Sequence, residues 1–89
     1  MRAIVTVLGK DRVGIIAEVC AVLAARGVNV LDISQTVLRE YFTMIMLVDI
    51  SACSSPFSEL ADELKRTGAE KALDIRIQRE DIFNAMHRI

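Results

Sequence analysis

The sequence predicts an α+β sandwich with its elements in the order β-α-β-β-α-β, and three observations carry the prediction. Two stretches, Ile16 to Leu23 and Phe57 to Leu64, place apolar residues at i, i+3, i+4 and i+7, the stripe of an amphipathic helix. Four other stretches alternate or are rich in β-branched residues, as strands are. The order of the six gives two βαβ halves, roughly 1–38 and 41–79, which define the ferredoxin-like (split βαβ) plan: a four-stranded antiparallel sheet with both helices on one face.

Residues 2–8, RAIVTVL, form the first expected strand, ending at Gly9. The first helix runs over Val13 to Arg26, with Ile16, Val19, Cys20 and Leu23 on its apolar side. Asp11 is a candidate N-cap and Gly27 suits the left-handed position that closes a helix. The second strand, Val28 to Leu38, places Val28 and Val30 on one side and Leu31, Ile33 and Val37 on the other. Arg39-Glu40 turns the chain into the third strand, YFTMIMLVDI at 41–50. A second helix opens at Ser55-Pro56, with Ser55 as cap and Pro56 in the first turn. Phe57, Leu60, Ala61 and Leu64 form its stripe, and Gly68 is expected to end it. Leu73, Ile75 and Ile77 alternate with polar residues in a half-buried fourth strand. The tail EDIFNAMHRI repeats the helical spacing at Ile82, Ala85, Met86 and Ile89, which predicts a short C-terminal helix over residues 80–89.

The third strand is apolar on both sides, with Phe42, Met44, Met46 and Val48 on one and Tyr41, Ile45 and Leu47 on the other. A strand of that kind should be covered on both faces, and large bare apolar patches on soluble domains usually mark contacts. The C-terminal helix, a second subunit or both are therefore expected to cover the sheet face that the two helices leave open.

Composition narrows the function classes. At 89 residues the chain forms a single domain, and 53% apolar residues supply a dense core. Folding at this size buries about 60–65% of the unfolded surface. Eleven basic and twelve acidic residues give a net charge of −1, which lacks the electrostatic footprint of a phosphate-backbone binder. No nucleic-acid partner is expected. The first strand also carries no aromatic residue for stacking bases, and Tyr41 and Phe42 point to opposite faces. Glu18 and Arg26 interrupt the longest apolar run, so no segment reaches the ~20 residues needed to cross a bilayer. Without a leader pattern, a cytoplasmic location and no membrane partner are expected. Cys20 and Cys53 have no CxxC spacing and read as reduced structural cysteines. No metal or other cofactor is expected.

Catalytic groups are sparse. The single histidine, His87, is the third residue from the end, without a nucleophile placed near it. Glu59, Asp62, Glu63 and Glu70 fall on the polar side of the second helix and read as a solvated face. Gly9-Lys10-Asp11-Arg12-Val13-Gly14 has the glycine spacing of a phosphate loop. The Lys-Ser/Thr that must follow is replaced by Ile15-Ile16, so the lysine for the phosphates and the hydroxyl for Mg²⁺ are missing. What remains is a helix start whose free N–H groups favour an anionic group. Asp11 itself, acting as a cap, is the alternative occupant of those N–H groups.

The strand–GKDRVGI–helix passage, followed by RGVNVLDIS, resembles the ACT domain, a small regulatory module that binds amino acids. The resemblance covers residues 1–79. ISQT (33–36), YFTMIMLVD (41–49) and DIRIQREDIFNAMHRI (74–89) are similar to stand-alone bacterial and archaeal ACT proteins related to the glycine cleavage system transcriptional repressor. The resemblance implies a non-catalytic sensor of an amino acid or similar small ligand, assembled as a homodimer with the ligand at a subunit interface. A ligand-free pairing module for a metabolic enzyme or transcription regulator is the second reading. By position the resemblance implicates Asp11, Arg12, Val13 and Gly14 in the loop of one subunit, with Asn29 and Leu31 at the second strand of its neighbour. Asp11 stands where the family commonly has Asn, and Val13 where it commonly has Pro. A carboxylate at 11 can hold an α-ammonium but repels an α-carboxylate.

Overall fold

The computed structural model describes residues 1–10 and 13–82. Along the chain run β1 (Arg2–Lys10), α1 (Ile15–Ala25), β2 (Asn29–Leu38), β3 (Tyr41–Asp49), α2 (Phe57–Lys71) and β4 (Leu73–Arg79). The strands form one sheet in the order β2-β3-β1-β4, with every neighbouring pair antiparallel. This is the ferredoxin-like plan read from the sequence. Its two central strands are β1 and β3, and β2 and β4 form the edges.

Alternation along the strands sorts the side chains into two faces. Ala3, Val5, Val7, Met44, Met46 and Val48 are fully buried on one face. There they form one core with Ile15, Val19 and Leu23 of α1 and with Leu60 and Leu64 of α2. The other face carries the register pairs Ile4–Leu47, Thr6–Ile45 and Leu8–Thr43. None of these six is fully buried, and Leu8 and Ile45 are 51% and 46% exposed.

The helix ends explain most of the differences from the sequence reading. α1 begins at Ile15 with Gly14 as its N-cap, at φ 92°, rather than at Asp11. A left-handed backbone of that sign favours glycine, so the chain turns into the helix three residues later than the Asp11 reading requires. The other end follows expectation. Gly27 takes φ 75°, and the N–H groups of Val28 and Gly27 donate to the carbonyls of Leu23 and Ala24 at 3.0 and 3.1 Å. This is a Schellman closure with buried Leu23 and Val28 on its apolar side.

α2 starts at Phe57, with Pro56 rather than Ser55 at the cap position. The Ser55 hydroxyl instead accepts a hydrogen bond from Arg26 Nη1 at 2.9 Å. Gly68 does not end the helix; it is buried one turn before its end. A Cβ at Gly68 would stand 2.5 Å from the Leu73 carbonyl oxygen, so glycine is needed there for the close approach of α2 to β4. Ala72, at φ 59°, closes the helix instead.

β2 also departs from simple alternation. Val30 pairs with Val48, but the next pair is Asp32 with Leu47, so Leu31 is an extra residue in the ladder. Such a bulge shifts the phase by one. Val30, Ile33 and Val37 therefore share the helix side, opposite Val48, Met46 and Phe42, whereas a regular strand would split Val30 from the other two. Of the predicted C-terminal helix, residues 80–82 are helical, and residues 83–89 lie outside the described residues.

Candidate functional site

α1 is fixed at one end and open at the other. At its C-terminal end the Arg26 guanidinium donates to both Glu63 carboxylate oxygens, with Nε–Oε1 at 2.8 Å and Nη2–Oε2 at 3.0 Å. The Arg26 carbonyl also accepts from the Ser54 N–H at 2.8 Å. Glu63 is thus an anchor between helices rather than part of a solvated face. The hydrogen bond from Arg26, reinforced by its charge, lowers the Glu63 pKa, and the same contact raises that of Arg26.

At the N-terminal end of α1 no side chain among the described residues caps the helix. The first-turn N–H groups of a helix have no intrahelical acceptor. Beside them opens a groove of ≈ 610 Å³, within the roughly 300–1,000 Å³ range of small-ligand sites. One wall is Gly14, Ile15, Ile16 and Ala17 from the helix start, and the other is Gln35, Val37 and Phe42 from the end of β2 and the start of β3. Among the described residues the lining is apolar apart from the Gln35 amide and the helix backbone. Such a site can hold an aliphatic group against Val37 and Phe42 while the helix start favours a carboxylate.

The residues implicated by sequence divide between two places. Gly14 lines the groove, and Val13, next to it in the chain, is 97% exposed. A Cβ at Gly14 would meet no atom within 4 Å, so its left-handed backbone, rather than lack of space, calls for glycine. Asp11 and Arg12 lie outside the described residues. Asn29 and Leu31 are exposed at the start of β2, at the far end of that strand from the groove. Eight residue steps separate Asn29 from Val37, about 26 Å at the rise of a strand. Within one chain the two halves do not meet.

Gln35, Val37 and Phe42 were not among the sequence candidates. β2 and β1 are both antiparallel to β3 and so run parallel to each other, which brings the end of β2 level with the loop after β1. Once that register is known, Gln35 stands out as the polar residue in the Ile33–Val37 row. Among the described residues no group of three or more His, Cys, Asp and Glu could hold a metal ion. No helix among them is long and apolar enough to cross a membrane.

Residues 2–78 match the ACT domain family. A UPF0237 protein of Clostridium acetobutylicum is 52% identical over 89 residues, covering the whole of both chains. Among solved structures, an ACT domain protein from Streptococcus pneumoniae superposes with a TM-score of 0.83 at 46% identity, covering 98% of each chain. A protein described as a glycine cleavage system transcriptional repressor superposes at 0.74 with 26% identity, over 88% of this chain and 44% of that one. The fold is that of an ACT domain, a module of regulatory proteins. The chain belongs to the ACT domain family and, within it, to the UPF0237 proteins.

Proposed function

We propose that this protein is a non-catalytic cytoplasmic sensor that binds an amino acid or similar small ligand between the two subunits of a homodimer. The observation that carries the reading is the separation just described. The groove at the start of α1 and the residues Asn29 and Leu31 occupy opposite ends of β2, and β2 is an open edge strand. An edge with unpaired backbone groups invites another strand. Two β2 edges pairing antiparallel about a two-fold axis near the middle of the strand bring Asn29 and Leu31 of one subunit towards the groove of the other. Each interface then holds two equivalent sites, each with Asp11, Arg12, Val13 and Gly14 from one chain and Asn29 and Leu31 from its partner. An amide at 29 can accept from an ammonium and donate to a carboxylate. A ligand that fits only the paired state shifts the population towards it.

Thermal unfolding in the presence of each of the twenty amino acids tests the reading. A ligand at 100 times its Kd stabilises the fold by about 2.7 kcal/mol, a clear rise in midpoint. Silence across the panel with a persistent dimer favours the second reading, a ligand-free module that pairs with a metabolic enzyme or a transcription regulator. The apolar exposure of β2 supports that alternative, with Leu31, Ile33, Val37 and Leu38 at 46%, 38%, 51% and 70%.

A further inference from the structure

The bare sheet face has a different character from the β2 edge. Its centre is the block Ile4, Leu47, Thr6 and Ile45, flanked by a hollow of ≈ 140 Å³ beside Asp32 and Ser34. A second hollow of ≈ 350 Å³ lies beside Leu8, Thr43 and Arg76. An apolar centre with polar borders on a central strand pair is the form of a contact surface.

The exit of the chain from β4 points to what fills it. Arg2 alternates with buried Ala3 and so stands on the bare side of β1. Its guanidinium holds Glu80, with Nε and Nη2 at 3.1 and 2.9 Å from Oε1 and Nη2 at 2.8 Å from Oε2. The residue that follows β4 is thus tied over the neighbouring strand on the bare side. Arg79 pairs with Asp81 at 2.8 Å, and Ile82 is left 47% exposed at the point where the described chain stops. Continued as a helix from 80–82, the ten residues from Glu80 to Ile89 would span about 15 Å. Strands are ~4.8 Å apart, so that length would suffice to cross from β4 over β1 to β3. The apolar residues of the tail, Ile82, Ala85, Met86 and Ile89, recur at the spacing of one helical face. A helix continued along that path would carry Met86 and Ile89 towards the Ile4–Leu47 and Thr6–Ile45 rows.

We infer that the bare sheet face is the docking surface for the chain's own C-terminal segment, residues 83–89, bound in cis and rooted by the Arg2–Glu80 ion pair. This contact leaves the β2 edge free and does not depend on a ligand.

A nitroxide attached at position 88 in the full chain tests it (Arg88→Cys, with Cys20 and Cys53 replaced by alanine). When the nitroxide-bearing chain is itself isotope-enriched, signals of Ile4, Thr6, Ile45 and Leu47 should lose most of their intensity, and those of Met44 and Met46 on the helix side should lose less. In a mixture where only chains without isotope carry the nitroxide, the same signals should lose much less intensity, because the partner's label lies across the β2 edges. A greater loss in the mixture than within one chain would give the face to a second copy's tail, and no loss in either sample would leave it bare; both overturn the inference. As a second variant, Met86→Glu in the native cysteine background should shift the Ile45 and Leu47 signals and leave Met44 and Met46 in place. Unchanged Ile45 and Leu47 signals would count against it.

Discussion

The two faces of the sheet are built from the same strands, residue by residue in alternation, yet they serve different ends. On the helix side Val5, Val7, Met44 and Met46 are completely buried, and the two amphipathic helices close over them. On the other side the same strands present Ile4, Thr6, Ile45 and Leu47, half-buried or exposed. The first face supplies the stability of the domain. The second contributes far less to the isolated fold, so its apolar character is better accounted for by a contact. Hydrophobic content alone does not distinguish the two; burial does.

The sharpest way to break this comparison is to truncate adjacent residues of β3. Met46→Ala should cost about 2–5 kcal/mol, as buried large-to-small changes do. Ile45→Ala should cost a fraction of that, because nearly half of its surface is exposed among the described residues. Denaturant unfolding of the two variants compares them directly. Equal losses would mean that the two faces carry the fold alike.

A smaller effect sharpens the contrast between the two ends of α1. The Arg26 hydrogen bond holds the Glu63 carboxyl below its ordinary value of 4.5. Because its pKa is lower in the folded state than in the unfolded one, the pair stabilises the fold fully above about pH 4.5. That contribution is lost as pH falls through the folded value. Glu63→Gln should therefore lower the unfolding midpoint at neutral pH and flatten its fall below pH 4.5. Asp49 and Asp81, also held low by hydrogen bonds from Ser51 and Arg79, still provide acid sensitivity in that variant. Superimposable acid profiles for variant and parent would show that the anchor contributes nothing.

Periodicity made the element order, the strand faces and the Gly27 closure legible in the sequence, because each follows from local spacing. The failures came where a distant part of the fold decides. Gly68 looked like a helix stop because the approach of β4 is invisible from local sequence. The Leu31 bulge is set by the pairing of β2 with β3, so a reading in strict alternation split Val30 from Ile33. Ser55 fits a helix cap by type, but Arg26, 29 residues away, takes its hydroxyl. The candidate site was partly legible. The loop and helix start were found from GKDRVG, whereas Gln35, Val37 and Phe42 needed the register of the sheet.

The central claim is that each site draws on two chains. Val13→Glu, at an almost fully exposed loop position, and Asn29→Ala, at an exposed strand start, should both fold normally and each lose the ligand. Mixed and allowed to exchange subunits, they form heterodimers in which one site carries both defects and the other neither. Titration calorimetry with the amino acid identified by thermal shift should find binding restored in the mixture, at about one quarter of the parental site number if pairing is random. A mixture as inert as its two components would contradict the account, since sites contained within single chains cannot be rebuilt by exchange.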